Sequence, residues 1–479
     1  MKKLNKNEIL ELIDVRFHSK LLSCEYEVDI IDVADIDLSK RVDILLKIEL
    51  INALSSDNVE LYEYYKELYL ESIALFTDHT FIEPGNSNKN TQDDYLNSFI
   101  NLYENIKTKG FDFSIGVIPF SGNTPLDGAH RTALAYVFNC KLSIVKIDVD
   151  PVDYGIDFFY KKGASERLIH VFASLLIKYD KTVRAAVIWP TSGFGIKNAQ
   201  EMFGDTYIFG KEMKLTEVGV NNLCISAYKK ESWIGGDSDY WKGAWGKSTA
   251  CFDDNQTIIT LFKPSYVGQD LEIKNKIRRS RNGTKHCVHS TDGSDDTADI
   301  INCTFPVKSE LYLNSIKIKE MSKLRMYISN NDLYTHIVSG SSFMGVLGIR
   351  ENEDVDTIST SSSASHNSYA QFFSKSIDSL FLIEECQYKF LDIRFLDLDE
   401  LLKFKLKRNE NKDIDDVKLI KFFINKKNNG LANKYLLVKR LLSQKIMRFK
   451  RRISRKFITF LKWIELYDAA RWVYKKLFF

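Results

Sequence analysis

The alternation of apolar and polar positions divides the chain into a helical lead-in followed by strand-bearing segments. Residues 6–108 read as mostly helical, with long amphipathic runs over 58–77 and 92–107. The first clear strand signal is Phe113–Pro119, followed by a turn and a helix beginning near His130. A second strand, Leu142–Ile147, comes directly after. From about 166 to 310, β-branched runs at Thr182–Trp189, Thr257–Phe262 and Lys285–His289 alternate with helices near 270–280 and 294–303, which predicts an α/β region. A further unit starts near 316: a helix, the strand Tyr334–Val338, a small-residue turn, a short helix and the strand Val355–Ser359. The polar stretch Ser359–Ser368 reads as a loop. No repeat of 20–50 residues is visible.

The expected fold class is multidomain α/β and α+β. The expected boundaries are 1–165, 166–315, 316–430 and a basic amphipathic tail over 431–479.

The segment Ser339–Asp356 carries the most specific pattern. A strand enters the turn Gly340-Ser341-Ser342, a short helix follows, and Asp354 and Asp356 then stand two apart. Alternation on a strand places both carboxylates on one face. Paired carboxylates repel unless a cation lies between them, so the spacing suits Mg²⁺. A Gly-Ser turn before a helix offers backbone N–H groups to a triphosphate. The segment resembles the polymerase-beta-like nucleotidyltransferase superfamily, with its Gly-Ser turn and Asp-x-Asp. The Lys-rich stretch Leu401–Asp416 resembles the helix found after the active site in small members of that group. The resemblance implies a mixed sheet, metal binding by Asp354 and Asp356, and nucleotide contacts from Gly340, Ser341, Ser342 and Arg350. It also implies a third carboxylate on a following strand, for which Asp392, and less well Asp397, stand in. The implied chemistry is attack of an acceptor oxygen on a nucleotide α-phosphate, with Mg²⁺ and an NTP (ATP or CTP) as cofactors.

A second pattern is Asp127-Gly128-Ala129-His130-Arg131, placed between two strand signals. It delivers His130 and Arg131 to the first turn of a helix, where the dipole favours anions. Arginine grips phosphate bidentately and histidine can carry a proton. The element resembles the Asp-Gly-x-His-Arg segment of the ParB/sulfiredoxin-like fold, whose members bind or cleave nucleotides and include small-molecule kinases. On that resemblance Asp127 and His130 are catalytic, Gly128 and Arg131 bind phosphate, and the domain is α+β.

In the middle of the chain, Lys285–Thr297 reads as a strand, a turn and a helix capped by Asp292 or Ser294. Its functional alternative is that His289 and Asp292 line a crevice at a sheet end. Trp233, Tyr240, Trp241 and Trp245 lie among glycines, as in a loop that stacks on a sugar or base. Gly243–Ser248 imitates a P-loop but lacks its first glycine, because that position is Trp241.

Composition narrows the classes. With 479 residues, 44% of them hydrophobic, 31 Phe and only 7 Pro, dominant disorder is excluded. No apolar run reaches the ~20 residues of a spanning helix, and the start Met1–Lys6 leads into acidic helix rather than a signal segment. The seven cysteines are scattered, with no CxxC pair, which fits a reducing, cytoplasmic setting. The net charge of +3 conceals an asymmetry: residues 434–479 carry 14 Lys/Arg and two acids, a balance of +12, which leaves −9 for residues 1–433. Leu442, Ile446, Phe449, Ile453, Phe457, Phe460 and Ile464 form one apolar stripe beside those cations. Such a tail suits an anionic membrane surface, at the inner face of the cytoplasmic membrane; packing on the acidic body and RNA binding are the alternatives.

As a whole, residues 110–425 resemble proteins of bacterial capsule and lipopolysaccharide gene clusters, through the segments above together with Ser365-His366-Asn367 and Arg408–Asp413. The expectation is a Mg²⁺-dependent nucleotidyltransferase-fold enzyme of surface-polysaccharide biosynthesis, acting on a small phosphorylated or hydroxylated precursor or a glycan, with a kinase-like N-terminal site. DNA is not an expected partner. The alternatives are a membrane-docked, non-catalytic scaffold of polysaccharide assembly, and a toxin-like nucleotidyltransferase acting on protein or tRNA.

Overall fold

Several helices begin where a side chain can satisfy the unpaired N–H groups of a first turn. Asn5, Asn58, Thr91, Ser165, Thr216 and Ser376 each accept from a backbone N–H two or three residues on. The structure, a computed structural model, describes residues 2–13, 15–82, 89–110, 117–281, 284–328, 335–352, 354–360 and 367–425. The chain forms two compact units, Met1–Arg408 and Asn409–Phe479.

The first sheet has the order β1-β2-β5-β3-β4. Its strands are β1 (Lys2–Asn5), β2 (Glu25–Ile31), β3 (Ile118–Ser121), β4 (Thr124–Pro125) and β5 (Leu142–Lys146). Helix α1 (Lys6–Leu12) lies between the first two strands. Helices α2 (Val42–Ser55), α3 (Val59–Phe76) and α4 (Gln92–Lys109) come between β2 and β3, and α5 (Ala129–Val137) follows β4. The expected helical lead-in is corrected at Glu25–Ile31. That segment is a strand because it pairs with β5, Val28 opposite Val145 and Ile31 opposite Leu142, more than a hundred residues away. Helix α2 is buried on almost every side.

After α6 (Ile156–Lys161) and α7 (Glu166–Tyr179) comes the second sheet, β7-β8-β6-β9. Its strands are β6 (Arg184–Ile188), β7 (Tyr207–Met213), β8 (Thr257–Phe262) and β9 (Val288–Ser290). Helices α11 (Gln269–Arg279) and α12 (Ser294–Thr304) fall where the pattern predicts them, whereas the pattern does not individually place β7 or the helices α8 (Ile196–Phe203), α9 (Glu217–Tyr228) and α10 (Gly243–Cys251). The pairings are antiparallel, however, so the region has an α+β sheet rather than the parallel sheet of an α/β fold. Ile188, Phe203, Phe262, Ile277 and Val288 form its core.

Helices α13 (Ser309–Leu313) and α14 (Ile318–Tyr327) lead to the third sheet, β11-β10-β13-β12. It comprises β10 (His336–Ser339), β11 (Asp356–Ser359), β12 (Gln387–Phe390) and β13 (Ile393–Leu396). Helix α15 (Gly340–Val346) joins β10 to β11, α16 (Ile377–Leu382) precedes β12, and α17 (Leu398–Arg408) follows β13. The sheet is mixed: β10 is antiparallel to β11 and parallel to β13. Phe343 of α15 stacks on Phe395 with centroids 4.4 Å apart.

These three sheets share one unit. Lys263 joins Asp37 at 2.9 Å to Asp180 at 2.8 Å, and Glu60 accepts from Ser376, so the expected boundaries at 165 and 315 do not separate compact bodies. The break falls at 408/409 instead of near 430. Asn409 takes a left-handed φ of +53°, which ends α17 before the Lys412–Asp416 segment. The second unit then holds α18 (Asn411–Ile424), started by a reciprocal Glu410–Asp413 cap. The basic stripe over 434–479 and Ser365-His366 lie outside the described residues. Among the described residues, no helix is long and apolar enough to cross a membrane.

Candidate functional site

The turn after β4 places the Asp127–Arg131 element at the wall of a cavity of about 410 Å³. Gly128 has φ +68°, and a Cβ there would stand 3.1 Å from the Ile118 side chain, so both conformation and space call for glycine. From this turn, α5 carries His130 and Arg131 into its first turn, with Asp127 just before it. Asp127, Gly128, His130 and Arg131 all line the cavity.

The lining also includes residues that pattern reading missed: Arg41, Asp43 and Lys47 at the start of α2, together with Lys89, Tyr95 and Tyr154. Arg41 donates through Nε to Asp43 Oδ1 at 2.9 Å and through Nη2 to Oδ2 at 3.1 Å. Lys47 donates to Asp43 Oδ2 at 2.9 Å. A third Arg41 donor reaches the Pro125 carbonyl, which ties α2 to the loop holding Asp127. Burial opposes the charge of the Asp43 carboxyl, but Arg41 and Lys47 overcome it and hold its pKa far below the usual range. Burial pulls the Lys47 ammonium downward, and Asp43 restrains that shift. One signal could have revealed this part of the lining: charges at Arg41, Asp43, Lys47 and Glu49 interrupt an otherwise apolar run.

His130 stacks on Phe99, with centroids 4.3 Å apart and planes 12° apart, and its Nε2 lies 3.0 Å from the Tyr69 hydroxyl. Burial first, then Lys47 and Lys89, pushes its pKa well below the ordinary value, so the ring is neutral near pH 7. Burial also lowers the Arg131 pKa, with Asp127 opposing. Four cations (Arg41, Lys47, Lys89, Arg131) and two carboxylates (Asp43, Asp127) thus surround one cavity beside a neutral imidazole. This arrangement can hold an anion and move a proton.

The Ser339–Asp356 element forms a strand, a turn, a short helix and a strand, but β11 begins at Asp356, so Asp354 lies before it and does not share a strand face with Asp356 as the alternation predicts. Gly340 has φ +62°, and a Cβ there would fall 2.2 Å from Asp356 Oδ2, so the carboxylate rests against the bare turn. Asp356 pairs across β10–β11 with Ser339. Asp354 precedes the paired strand in an exposed bend, where its carbonyl accepts from Ser342 Oγ and Asn352 Nδ2, both at 3.1 Å. The Ser342 hydroxyl is therefore turned to the chain. Ser341 is buried, and Arg350 donates to the Glu351 carbonyl at 3.0 Å.

The expected third carboxylate is corrected by the strand register. Because β13 runs parallel to β10 with Val338 opposite Phe395, Asp392 falls level with residue 335, whereas Asp356 is level with Ser339. Four residues of strand separate them by about 13 Å. Asp392 instead sits in a left-handed turn (φ +66°), ion-paired with Lys229 and Arg325. Asp397 is at the nearer sheet end, but it is buried, accepts from Tyr312 at 2.7 Å and from the Asp399 N–H at 2.8 Å, and caps α17. Among the described residues, no group of three or more His, Cys, Asp or Glu is placed to hold a metal ion. Two carboxylates are fewer than such a group, so most of the octahedron of any Mg²⁺ held there would fall to phosphate oxygens and waters.

In the middle segment, α12 starts from Gly293 rather than from a capping Asp292 or Ser294, and Asp292 is exposed. Trp241 is buried and donates to Asp237 at 3.1 Å, whereas Trp233 and Trp245 are exposed.

Comparison with protein-family models, with curated proteins and with solved structures found no match.

Proposed function

We propose that this protein is an enzyme of phosphate-ester chemistry whose working site is the Asp127–Arg131 cavity, and that it binds a nucleotide there. The observation that supports this reading is the convergence of Arg41, Lys47, Lys89 and Arg131 on one cavity at the start of α5, against only Asp43 and Asp127. A volume of about 410 Å³ is within the range of small-molecule sites. In this reading Arg131 and the α5 N-terminus hold phosphate, and neutral His130 accepts a proton from a substrate hydroxyl with Asp127 beside it. That assignment describes a small-molecule kinase.

A second reading is favoured by the Asp356 carboxylate resting on the Gly340 turn: a nucleotidyltransferase site, with Asp354 and Asp356 as the residues that would hold Mg²⁺ and an NTP. Bound there, the metal would supply charge neutralisation to the phosphates. Taken together, the two sites would phosphorylate a small hydroxylated precursor, or a glycan, and activate it for surface polysaccharide. The basic stripe over 442–464 would dock the protein on the inner face of the cytoplasmic membrane. Co-sedimentation with anionic vesicles, lost on deleting 434–479, tests that part.

Incubation of the full chain with each NTP, with and without Mg²⁺, separates the chemistries. Nucleoside diphosphate release lost in Arg131→Ala supports the first reading, and pyrophosphate release lost in Asp356→Asn supports the second. Turnover of no NTP in the presence of hydroxylated and sugar-phosphate acceptors overturns both and leaves a scaffold.

A further inference from the structure

The second sheet carries a cluster of cations that neither reading uses. His289, in the middle of β9, lies against Tyr228 at the end of α9, with ring centroids 4.4 Å apart. Lys247 of α10 stands over the Tyr228 ring at 5.5 Å and donates to the Lys285 carbonyl at 2.7 Å. Lys274 and Arg278 are four residues apart on α11, so they share one face of a helix that packs along β9. Two helices thus bring three cations to one imidazole on β9.

These groups are half-buried rather than surface decoration. Tyr228, Lys247, Lys274, Arg278 and His289 each retain a solvent-accessible edge, although protein encloses the His289 ring. Burial first, then Lys274, Lys247 and Arg278, lowers the His289 pKa to about 3, so the three cations share one field. Burial also lowers the Lys274 pKa, with Arg278 adding to the shift. The acids facing Lys274 are Asp292, which is exposed, and Asp270. Among the described residues, neither Lys274 nor Arg278 has an ion-pair partner, and Arg278 Nε is shut off from solvent with no acceptor.

Half-buried cations without counter-ions lose hydration and gain nothing in exchange. A fold that sets two of them, Lys274 and Arg278, with the carbonyl-bonded Lys247 around a neutral imidazole recovers that loss when an anion enters. Phosphate fits best: it takes the fork of an arginine together with point contacts from lysines. Trp233, 46% exposed and 5.3 Å from the Tyr228 ring, offers an aromatic face beside it for the organic part of the ligand.

We propose that this cluster is a second anion site, independent of the Asp127–Arg131 cavity, that takes the phosphate or diphosphate group of a phosphorylated small molecule through Lys247, Lys274 and Arg278. It goes beyond the function proposed above and does not require it.

Calorimetric titration of the full chain with inorganic pyrophosphate tests the proposal. Arg131→Ala protein should still bind one equivalent. In that background Lys274→Gln and Arg278→Gln should each weaken binding at least tenfold with the melting temperature unchanged or raised, since each removes a cation that lacks a counter-ion. Pyrophosphate should also move the His289 imidazole resonance in Arg131→Ala protein, with the assignment made by His289→Gln. Absence of pyrophosphate binding in Arg131→Ala protein overturns the proposal, as does binding that both α11 variants leave within threefold of the parent. A wild-type chain that binds one equivalent, lost in Arg131→Ala, overturns this site while leaving the N-terminal reading intact. The converse, one equivalent lost only in the α11 variants, supports this site and removes the other.

Discussion

Arg41 and Asp43 form a two-pronged ion pair, 2.9 and 3.1 Å long, at the start of α2, with both side chains almost sealed from solvent. Lys47 completes the group from the next turn. Asp43→Asn leaves two buried cations with a neutral partner, and the cost of breaking a buried pair is about 3–5 kcal/mol. Denaturant unfolding should show a loss of that size. Replacing the trio with apolar residues (Arg41→Met, Asp43→Leu, Lys47→Met) should cost less stability than Asp43→Asn alone while abolishing anion binding in the cavity. Equal stability of wild type and Asp43→Asn refutes the assignment.

Arg131→Ala should weaken nucleotide binding in the N-terminal cavity by about 1.5–3 kcal/mol, the range for a hydrogen bond to a charged group. Equilibrium binding at fixed salt measures it. Undiminished affinity would place the ligand elsewhere.

Gly340→Ala meets two obstacles, a φ of +62° and an Asp356 oxygen 2.2 Å from the new methyl. Alanine at positive φ costs more than about 1 kcal/mol, and here the carboxylate must also move. Thermal melting should report the destabilisation. Any nucleotidyl transfer should fall further than the melting shift accounts for.

The register distinguishes Asp356 from Asp392. Asp356→Asn should remove Mg²⁺-dependent pyrophosphate release. Asp392→Asn should retain it at temperatures where the variant is folded, since Asp392 holds Lys229 and Arg325 at the far end of the sheet. Equal loss of turnover in the two variants, with both folded, contradicts the register argument.

His170 is buried, and burial first, then Lys211 and Lys389, lowers its pKa to about 3. An unfolded histidine titrates near 6.5, so between those values the unfolded chain binds a proton that the native chain refuses. Stability therefore falls as pH drops from about 6.5 towards 3, by up to about 1.36 kcal/mol per pH unit for this one group. His170→Gln should reduce the slope of unfolding free energy against pH by that increment. Parallel slopes for the two proteins between pH 6 and 4 would show that His170 is charged in the native state.

Much of the local structure is legible in the chain. The spacing of apolar residues anticipates α3 and α4 to within two residues, and the Gly340 turn, the short α15 and β11 appear where small residues and β-branching place them. The Asp127–Arg131 half of the cavity is legible for the same reason: an Asp-Gly turn and a helix start are contiguous features. Its other half is not, because Arg41, Asp43 and Lys47 are brought to the Asp127 loop by tertiary contacts such as the Arg41 bond to the Pro125 carbonyl, across 84 positions. Their charges inside an apolar helix were a signal of burial, but not of what they would face.

By itself, then, the sequence determined what depends on neighbours along the chain: the long amphipathic helices α3 and α4 and the turns at Gly128 and Gly340. Tertiary structure alone decided which strands pair and in what direction. Glu25–Ile31 becomes a strand because β5 is there to receive its hydrogen bonds, and the second sheet is antiparallel because of how its helices return the chain. The same holds for Asp392, whose distance from Asp356 follows from β13 lying parallel to β10. Local conformation is set by energies within a few residues, whereas register and charge clustering are set by contacts whose partners are separated by tens to hundreds of positions.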